Sequence, residues 1–233
     1  RIAAAITPRT RAIVLNSPNN PTGRVYPEAV LRELGRLLAG LPHPVSVLSD
    51  ETYAPIMFDG RTHPELVGLI EPAAIAGSWS KTFAVPGERI GFLAVSPGMG
   101  DVKELMDACV FANRILGYVN APAIWQRVIT ETIGVQPDLS LYQRRRDVMY
   151  EALTRIGYEV AKPEGTFYMF PKTPIPDDFA FVRMLIEEGV LAVPGAGFGR
   201  PGHMRLSLTI PMEAIERSLA GFERAFQRAK TGA

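Results

Sequence analysis

Blocks of hydrophobic and polar residues alternate along the first half of the chain and predict strands and helices in turn. The apolar run Ala12–Leu15 ends in Asn-Pro-Gly turn chemistry, which indicates a short buried strand. From Pro27 onward apolar residues recur on one helical face, and Gly40 predicts where that helix stops. Three further strands are predicted, at Val45–Leu48, Ala73–Trp79 and Ile90–Val95. Strands that alternate with helices favour an α/β fold with a mainly parallel sheet.

The second half of the chain has a different pattern. A helix-rich stretch runs from about Asp101 to Ile156, and helices are predicted around Asp178–Glu188 and Met212–Arg228. Short strands are predicted between them, at Tyr158–Ala161, Thr166–Phe170, Val190–Val193 and Arg205–Thr209. We therefore predict a partial large α/β domain at residues 1–135 and a small C-terminal α+β domain at residues 136–233.

Composition argues against several classes of function. The 233 residues carry 25 basic and 24 acidic side chains, so bulk electrostatics does not favour nucleic acid or a membrane surface. No apolar run approaches the ~18–20 residues that a membrane helix needs. The lone Cys109 rules out an internal disulfide and fits a reducing compartment such as the cytoplasm.

Three groups of residues are interpreted as having no catalytic or binding role. His43, His63 and His203 lie far apart without other ligands at metal-binding spacing, so we predict surface or loop histidines and no metal. The run Arg144–Arg146 lies in a predicted helix and is interpreted as a solvated face. Residues Gly197–Gly202 match the dinucleotide pattern G-x-G-x-x-G, but a proline and a strand pattern stand where that motif requires a helix.

Three polar motifs occur in a fixed order, each where a strand should end. They are Asn20–Gly23, Asp50–Tyr53 and Ser78–Lys81, and the last is followed by Arg89. At about 5% usage per residue type, a given tetrapeptide arises by chance in a chain of this size roughly once in a thousand sequences. The motifs supply an amine, a carboxylate, a phenol, an amide, a hydroxyl and a guanidinium. These are the groups needed to hold and activate pyridoxal 5'-phosphate (PLP).

Together these residues resemble the class I/II aminotransferases, the PLP enzymes of fold type I. The segments Gly165–Tyr168 and Arg205–Leu208 are similar to that family's C-terminal domain, so the resemblance runs along the whole chain. It implies PLP as cofactor and a small-molecule amino acid and 2-oxo acid as substrates. It also implies a cytoplasmic homodimer when the protein is complete, and we predict no nucleic-acid or membrane partner.

The resemblance covers only the later part of such an enzyme. The chain starts at Arg1, and the family's N-terminal region is expected to precede it. That region would carry the turn that cradles the phosphate, the aromatic residue that stacks on the ring and the first strands of the sheet. We therefore expect the 233-residue polypeptide to bind PLP poorly and to expose a sheet edge or an apolar patch.

Lys81 is the candidate for the catalytic amine. The other four lysines lie in charged or turn-like surroundings, where a solvated amine is the default. Lys81 instead lies among uncharged residues until Glu88, and burial or cationic neighbours lower the pKa of an amine, as Schiff-base chemistry requires. A structural lysine is the alternative. The resemblance implies that Lys81 forms the Schiff base and later moves the α-proton.

Asp50 is expected at the carboxyl end of its strand, where open α/β sheets bind ligands. A carboxylate there can pair with the protonated pyridine nitrogen of PLP, although a helix cap or loop aspartate is the alternative. Its neighbour Glu51 is predicted to face outward. Tyr53 and Asn20 can donate to the phenolate oxygen of the cofactor. A packing tyrosine and an Asn-Pro turn are their respective alternatives.

Ser78 and Arg89 are candidate phosphate ligands, because a hydroxyl and a planar guanidinium both donate to phosphate oxygens. Arg89 could instead pair with Glu88 at the surface, but its eight-residue step from Lys81 matches the family spacing. Arg205 lies on a predicted strand, and the resemblance implies that it grips the α-carboxylate of the substrate. An exposed arginine on an edge strand is the alternative.

The sequence thus predicts a PLP-dependent aminotransferase that moves an amino group between an amino acid and a 2-oxo acid through Lys81. One alternative is another reaction of the same cofactor, such as β-elimination or decarboxylation, since the cofactor carries the chemistry. A second is an aminotransferase-like regulatory domain, which the near-neutral charge does not support. A third is an inactive structural relative, which the retained polar positions disfavour.

Overall fold

The computed structural model describes residues 1–231, which divide into two compact units. Unit 1 consists of residues 1–18, 25–55 and 62–137. Unit 2 consists of residues 19–24, 56–61 and 138 onward. Two short segments of the first half therefore pack with the second half of the chain. The domain boundary between residues 135 and 136 remains a prediction from the sequence.

Unit 1 contains a four-stranded sheet with the strands in chain order. The strands are β1 (Ala12–Asn16), β2 (Ser46–Asp50), β3 (Ala73–Ser78) and β4 (Gly91–Val95). The first three are parallel, and β4 runs antiparallel to β3. The mainly parallel sheet is confirmed. The connection to this last strand, residues 79–90, holds one four-residue helix and a short 3-10 helix.

The helices of unit 1 are α1 (Ile2–Ala5), α2 (Glu28–Ala39), α3 (Trp79–Thr82), α4 (Val102–Ile115) and α5 (Ala123–Thr132), with a 3-10 helix at Pro86–Glu88. Helix α2 begins after Pro27 and is capped by Gly40, as its sequence predicts. Its buried leucines Leu31, Leu34 and Leu38 pack in one hydrophobic core with residues from β1, β2 and β3. Burial of that apolar stripe stabilises the helix on one face of the sheet.

The opposite face of the sheet carries several exposed apolar residues. Side chains alternate across a strand, and the register places Val14 beside Leu48 on this face. Val14 is 68% exposed, while Leu48 and Leu93 are each 37% exposed. We call Val14, Leu48 and Leu93 the exposed sheet face. The expected apolar patch is therefore present in unit 1.

Unit 2 combines a small antiparallel sheet with helices, as predicted. Its elements are α6 (Ser140–Ile156), β5 (Tyr168–Met169), α7 (Asp178–Glu187), β6 (Val193–Pro194), β7 (Met204–Ser207) and α8 (Met212–Thr231). The strand order is β5-β7-β6. The prediction of a strand at Tyr158–Ala161 is wrong. A backbone hydrogen bond runs from Lys172 to the carbonyl of Glu159, but Tyr158 turns its ring onto Phe181, Phe222 and Phe226 instead of joining a ladder.

Arg146 contradicts the prediction of a solvated helix face. Its side chain is completely buried, and its two terminal nitrogens each lie 2.7 Å from a carboxylate oxygen of Asp59. Its Nε donates to Asp147 at 2.9 Å, and Nη1 also donates to the carbonyl of Pro163 at 3.0 Å. The hydrogen bond from Arg146 lowers the pKa of Asp59. The pair thus anchors the segment 56–61 to α6 within unit 2.

The 3-10 helix Gly195–Phe198 and the turn that follows lead into β7, so the G-x-G-x-x-G match opens no α-helix. This agrees with its interpretation as a loop. Among residues 1–231, no helix is long and apolar enough to cross a membrane.

Candidate cofactor and substrate site

Asp50 is the last residue of β2, in register with Asn16 of β1 and Ala76 of β3. Its carboxylate accepts hydrogen bonds from the Oγ1 and the backbone nitrogen of Thr52, at 2.7 and 3.3 Å. Its carbonyl accepts from the side chain of Asn16 and the backbone of Ser17, each at 3.2 Å. The carboxylate is therefore fixed at the carboxyl end of parallel strands, where open sheets bind ligands.

Ser78 and Lys81 follow the next strand. Ser78 ends β3 and caps α3, because its Oγ accepts a hydrogen bond from the backbone of Ser80 at 3.1 Å. Lys81 lies in the last turn of α3 and is half-buried. Ser78 lies two positions beyond Ala76, the register partner of Asp50. Asp50, Ser78 and Lys81 are thus grouped at neighbouring strand ends, and we call them the strand-end residues.

Tyr53 and Arg89 belong to the same unit. Tyr53 follows β2 in a turn and is 4% exposed. Arg89 is exposed, and its Nη1 donates to the carbonyl of Pro86 at 2.8 Å. The backbone of Arg89 is left-handed, with φ at 53°, a conformation that non-glycine residues adopt rarely and often at functional positions. The guanidinium of Arg89 is therefore hydrogen-bonded to the backbone of Pro86 and does not form the alternative ion pair with Glu88.

Glu51 differs from its prediction, and His63 is more buried than a surface histidine. The sequence predicts that Glu51 faces outward, but its side chain is 11% exposed and accepts a hydrogen bond from Ser49 at 2.8 Å. The sequence predicts His63 as a surface or loop histidine; it lies in a loop, with its side chain 8% exposed and its Nδ1 3.8 Å from Oε2 of Glu51. Burial raises the pKa of Glu51 and lowers the pKa of His63. Tertiary packing, which no local pattern reports, buries both groups.

Asn20 and Arg205 lie together in unit 2. Arg205 is on β7, and its Nη1 donates to Oδ1 of Asn20 at 3.1 Å. The guanidinium carbon lies 4.4 Å from the ring centre of Tyr168 and 4.5 Å from that of Phe198, distances that give cation-π attraction. Within residues 1–231, no carboxylate pairs with Arg205. A half-buried guanidinium oriented in this way presents donors suited to a ligand carboxylate.

The structure therefore divides the seven predicted site residues between the two units. Five lie in unit 1: Asp50, Tyr53, Ser78, Lys81 and Arg89. Asn20, expected at the end of its own strand, belongs to unit 2 with Arg205. Strand β1 ends at Asn16, and the chain leaves the sheet before it reaches Asn20.

Several contributing residues are not found by the sequence analysis. Thr52 has a local signal, since a threonine two residues after an aspartate commonly hydrogen-bonds to it in a turn. Asn16 also has one, because it precedes the turn at the end of β1. Phe198 has none, because its place beside Arg205 depends on how β7 packs against the preceding loop.

Comparison with known proteins identifies the family. The chain belongs to the aminotransferase class I and II family, whose profile matches residues 1–222. It is 36% identical over 241 aligned residues to an aspartate/prephenate aminotransferase of Thermus thermophilus, covering 98% of this chain and 60% of that protein. It is 31% identical to aromatic-amino-acid aminotransferase 2 of Thermococcus litoralis, covering 97% of this chain and 59% of that protein.

Solved structures agree. An aminotransferase from Eubacterium rectale superposes with a TM-score of 0.92 at 38% identity, covering 98% of this chain and 58% of that one. An aspartate aminotransferase from Thermus thermophilus with maleate superposes with a TM-score of 0.85 at 34% identity. The match covers 96% of this chain and 59% of that one. The chain thus has part of the PLP-dependent fold type I, and it spans about 60% of the length of the curated relatives it matches.

Enzymes of this family use PLP, and the donor set of unit 1 fits that cofactor. PLP carries an aldehyde, a ring nitrogen, a phenolic oxygen and a phosphate. The strand-end residues supply an amine, a carboxylate and a hydroxyl at adjoining positions. Tyr53 and Arg89 add a phenol and a guanidinium from the loops that follow β2 and β3. Each group of the cofactor therefore has a chemically matched partner in this unit.

Proposed function

We propose that the protein is a PLP-dependent aminotransferase that moves an amino group between an amino acid and a 2-oxo acid. The observation that supports this most directly is the grouping of Asp50, Ser78 and Lys81 at the carboxyl ends of β2 and β3. Membership of the aminotransferase family supports the same reaction.

Each residue has a defined task in this proposal. PLP supplies an aldehyde that combines with amines and a ring that accepts electrons. Asp50 holds the proton on the ring nitrogen, and Thr52 keeps its carboxylate in place. The amine of Lys81 would hold the aldehyde of bound PLP and would carry the α-proton of the substrate. Ser78 and Arg89 would bind the phosphate by hydrogen bonds, and the guanidinium of Arg89 would add a permanent positive charge.

Asn20 and Tyr53 are proposed to donate hydrogen bonds to the phenolic oxygen. Arg205 is proposed to bind the α-carboxylate of the amino acid, supported by the absence of an acidic partner for it in residues 1–231 and by the two aromatic rings that orient its guanidinium. Binding the carboxylate at one end orients the α-carbon for proton transfer, an effect that raises rate as well as affinity.

Lys81 is tested by reductive labelling. The full-length protein is incubated with PLP, treated with borohydride and digested, and the labelled peptide is identified by mass spectrometry. We expect the label on Lys81 and its loss in Lys81→Ala. Lys103→Ala is the matched control, because Lys103 is also helical but its side chain is 86% exposed and paired with Asp107. Label on another lysine, or on none, contradicts the proposal.

The reaction type needs a separate assay. Incubation with an amino acid and a 2-oxo acid should produce the corresponding pair of keto and amino acids. Release of ammonia would indicate elimination, and release of CO2 would indicate decarboxylation. Neither product is expected above background.

We also propose that the complete protein is a cytoplasmic homodimer without nucleic-acid or membrane partners. Helix α4 supports the dimer, because none of its residues is buried and its apolar side chains include Phe111 and Ile115, which are 64% and 67% exposed. A reducing compartment is supported by the single Cys109, which forms no disulfide. Sedimentation equilibrium of the full-length protein measures the oligomeric state directly.

A further inference from the structure

We propose that Glu51 and His63 form a buried positioning pair that fixes the carboxyl end of β2 and so orients Asp50. The inference rests on the proposed function, since the orientation of Asp50 matters to catalysis only if Asp50 serves the cofactor. It concerns Glu51, which the sequence analysis assigns no role within the Asp50–Tyr53 motif, and His63, which lies in no motif.

The first observation is that the pair connects two strand ends. Glu51 accepts from Ser49 of β2 at 2.8 Å, and its backbone nitrogen donates to the carbonyl of Ala76 of β3 at 2.9 Å. The imidazole of His63 contacts Glu51 and bonds to the backbone of Ser17, just after β1. Ser17 in turn donates its backbone N–H to the carbonyl of Asp50 at 3.2 Å. The pair therefore joins the chain on both sides of Asp50.

The second observation is the direction of the side chains. Successive residues along an extended strand point to opposite faces, so the carboxylates of Asp50 and Glu51 diverge. Thr52 holds the carboxylate of Asp50 on its side, while Ser49 and His63 hold Glu51 on the other. A rotation of the strand end that misdirects Asp50 would have to break the contacts of Glu51. The contacts of Asp50 on one side and of Glu51 on the other thus fix the orientation of the carboxyl end of β2.

The third observation is that both groups are buried without forming a strong ion pair. Burial disfavours the charged form of each, and the charge of Asp50 raises the pKa of Glu51 further. Ser49 and Asp50 face Glu51, and Ser17 and Glu51 face His63. Buried polar pairs often add little net stability compared with apolar residues of similar size, so we assign this pair a role in geometry.

The imidazole tautomer is consistent with this role. Nε2 of His63 is buried and has no hydrogen-bond partner among the described residues. A neutral ring with its proton on Nδ1 leaves only an acceptor unsatisfied there, whereas a proton on Nε2 would leave a buried donor. The Nδ1 proton is then the one directed at its neighbours. This assigns His63 as a fixed donor.

The experiment compares cofactor binding with folding. In the full-length protein we measure the dissociation constant of PLP, its bound absorption spectrum and the free energy of unfolding for Glu51→Leu and His63→Ala. By analogy with outer-shell partners elsewhere, we expect PLP binding to weaken about 10-fold or more and the spectrum to shift. His43→Ala is the matched control, because His43 bonds to the carbonyl of Thr10 in the same unit. It should leave the spectrum unchanged.

Conservative variants keep the inference testable if the first two fail to fold. Glu51→Gln retains an acceptor for Ser49, and His63→Gln retains a donor of similar reach, so we expect each to restore most of the affinity. Selective NMR of labelled histidine in the protein without cofactor should show His63 titrating below 6.5, its ordinary pKa, and shifting in Glu51→Gln.

The outcomes separate two failures. If the Glu51 and His63 variants lower stability but leave the spectrum and affinity unchanged, the pair is structural and the inference is overturned. If Asp50→Asn also binds PLP normally, the role of Asp50, and with it the proposed function, is overturned. Loss of binding in Asp50→Asn with unaltered Glu51 and His63 variants rejects the positioning pair alone.

Discussion

Nη1 of Arg205 donates a hydrogen bond to Oδ1 of Asn20 at 3.1 Å, although 185 positions separate these residues in the chain. The contact is one of several that join residues 19–24 to the rest of unit 2, as do backbone hydrogen bonds from Glu164 and Gly165 to the carbonyl of Gly23. Because the amide oxygen faces Arg205, the amide nitrogen is the atom suited to donate to a ligand. Asn20 thus orients Arg205, the candidate residue for binding the substrate carboxylate, through its amide oxygen.

Replacing Arg205 should affect substrate binding first. Arg205→Lys keeps the charge but loses the planar pair of donors, and hydrogen bonds to charged groups contribute about 1.5–3 kcal/mol, or roughly 10- to 150-fold. We expect KM for the amino acid to rise within this range, with PLP binding unchanged. Arg200→Lys, at an exposed loop position, is the control. An unchanged KM in Arg205→Lys would contradict the proposal that Arg205 binds the α-carboxylate of the substrate.

The contact with Asn20 can be measured by a double-mutant cycle. If Asn20 orients Arg205, the effects of Asn20→Ala and Arg205→Lys on KM should not add, with a coupling of about 0.5–3 kcal/mol. Strict additivity would show that the hydrogen bond does not contribute to substrate binding.

Arg146 should be essential for stability rather than for chemistry. Arg146→Met removes the two 2.7 Å contacts to Asp59, whose side chain is 43% exposed, and hydrogen bonds to charged groups contribute about 1.5–3 kcal/mol. Arg144→Met, exposed on the same helix, should change stability by less than about 0.5 kcal/mol. Urea unfolding followed by circular dichroism measures both. Equal effects of the two substitutions would contradict the buried role.

The buried His63 predicts how stability changes with pH. Its folded pKa lies below 6.5, so the stabilisation it provides is complete above pH 6.5 and is lost as the pH falls through the folded value. His63→Gln should therefore flatten the decline of unfolding free energy below pH 6.5. The contribution of Glu51 to the unfolding free energy changes with pH in the opposite direction. Because its pKa is raised, the stabilisation is complete below pH 4.5 and is lost as the pH rises through the folded pKa. A steeper decline in His63→Gln would be inconsistent with the burial of this ring.

The exposed sheet face should govern the behaviour of the 233-residue polypeptide. We expect this chain, expressed alone, to aggregate and to bind PLP weakly, since large exposed apolar patches promote association. Val14→Thr should reduce aggregation in light-scattering measurements at little cost in stability, because Val14 is 68% exposed. Val47→Thr on the buried face, at 0% exposure, is the contrasting variant and should destabilise. A monodisperse chain with tight PLP binding would refute this expectation.

Local features of the sequence are sufficient for much of the fold and for part of the site. Proline and glycine at the ends of α2, its apolar stripe, and polar residues directly after apolar strands act over a few positions. From these features alone, Asp50 and Ser78 are predicted at strand ends and are the last residues of β2 and β3, and Lys81 lies in the short helix that follows β3. Short-range capping and periodicity are written in consecutive residues, so a sequence reports them directly.

Only the tertiary structure decided which polar residues are buried and with whom they pair. Helical spacing places Arg146 on the same face as the buried Met149 and Leu153, but the carboxylate that pairs with it, Asp59, is 87 positions away in the chain. Likewise Glu51 is buried against Ser49 and His63, and Asn20 is held by Arg205. The free energy of burying a charged or polar group depends on its partners, and those partners come from distant parts of the chain.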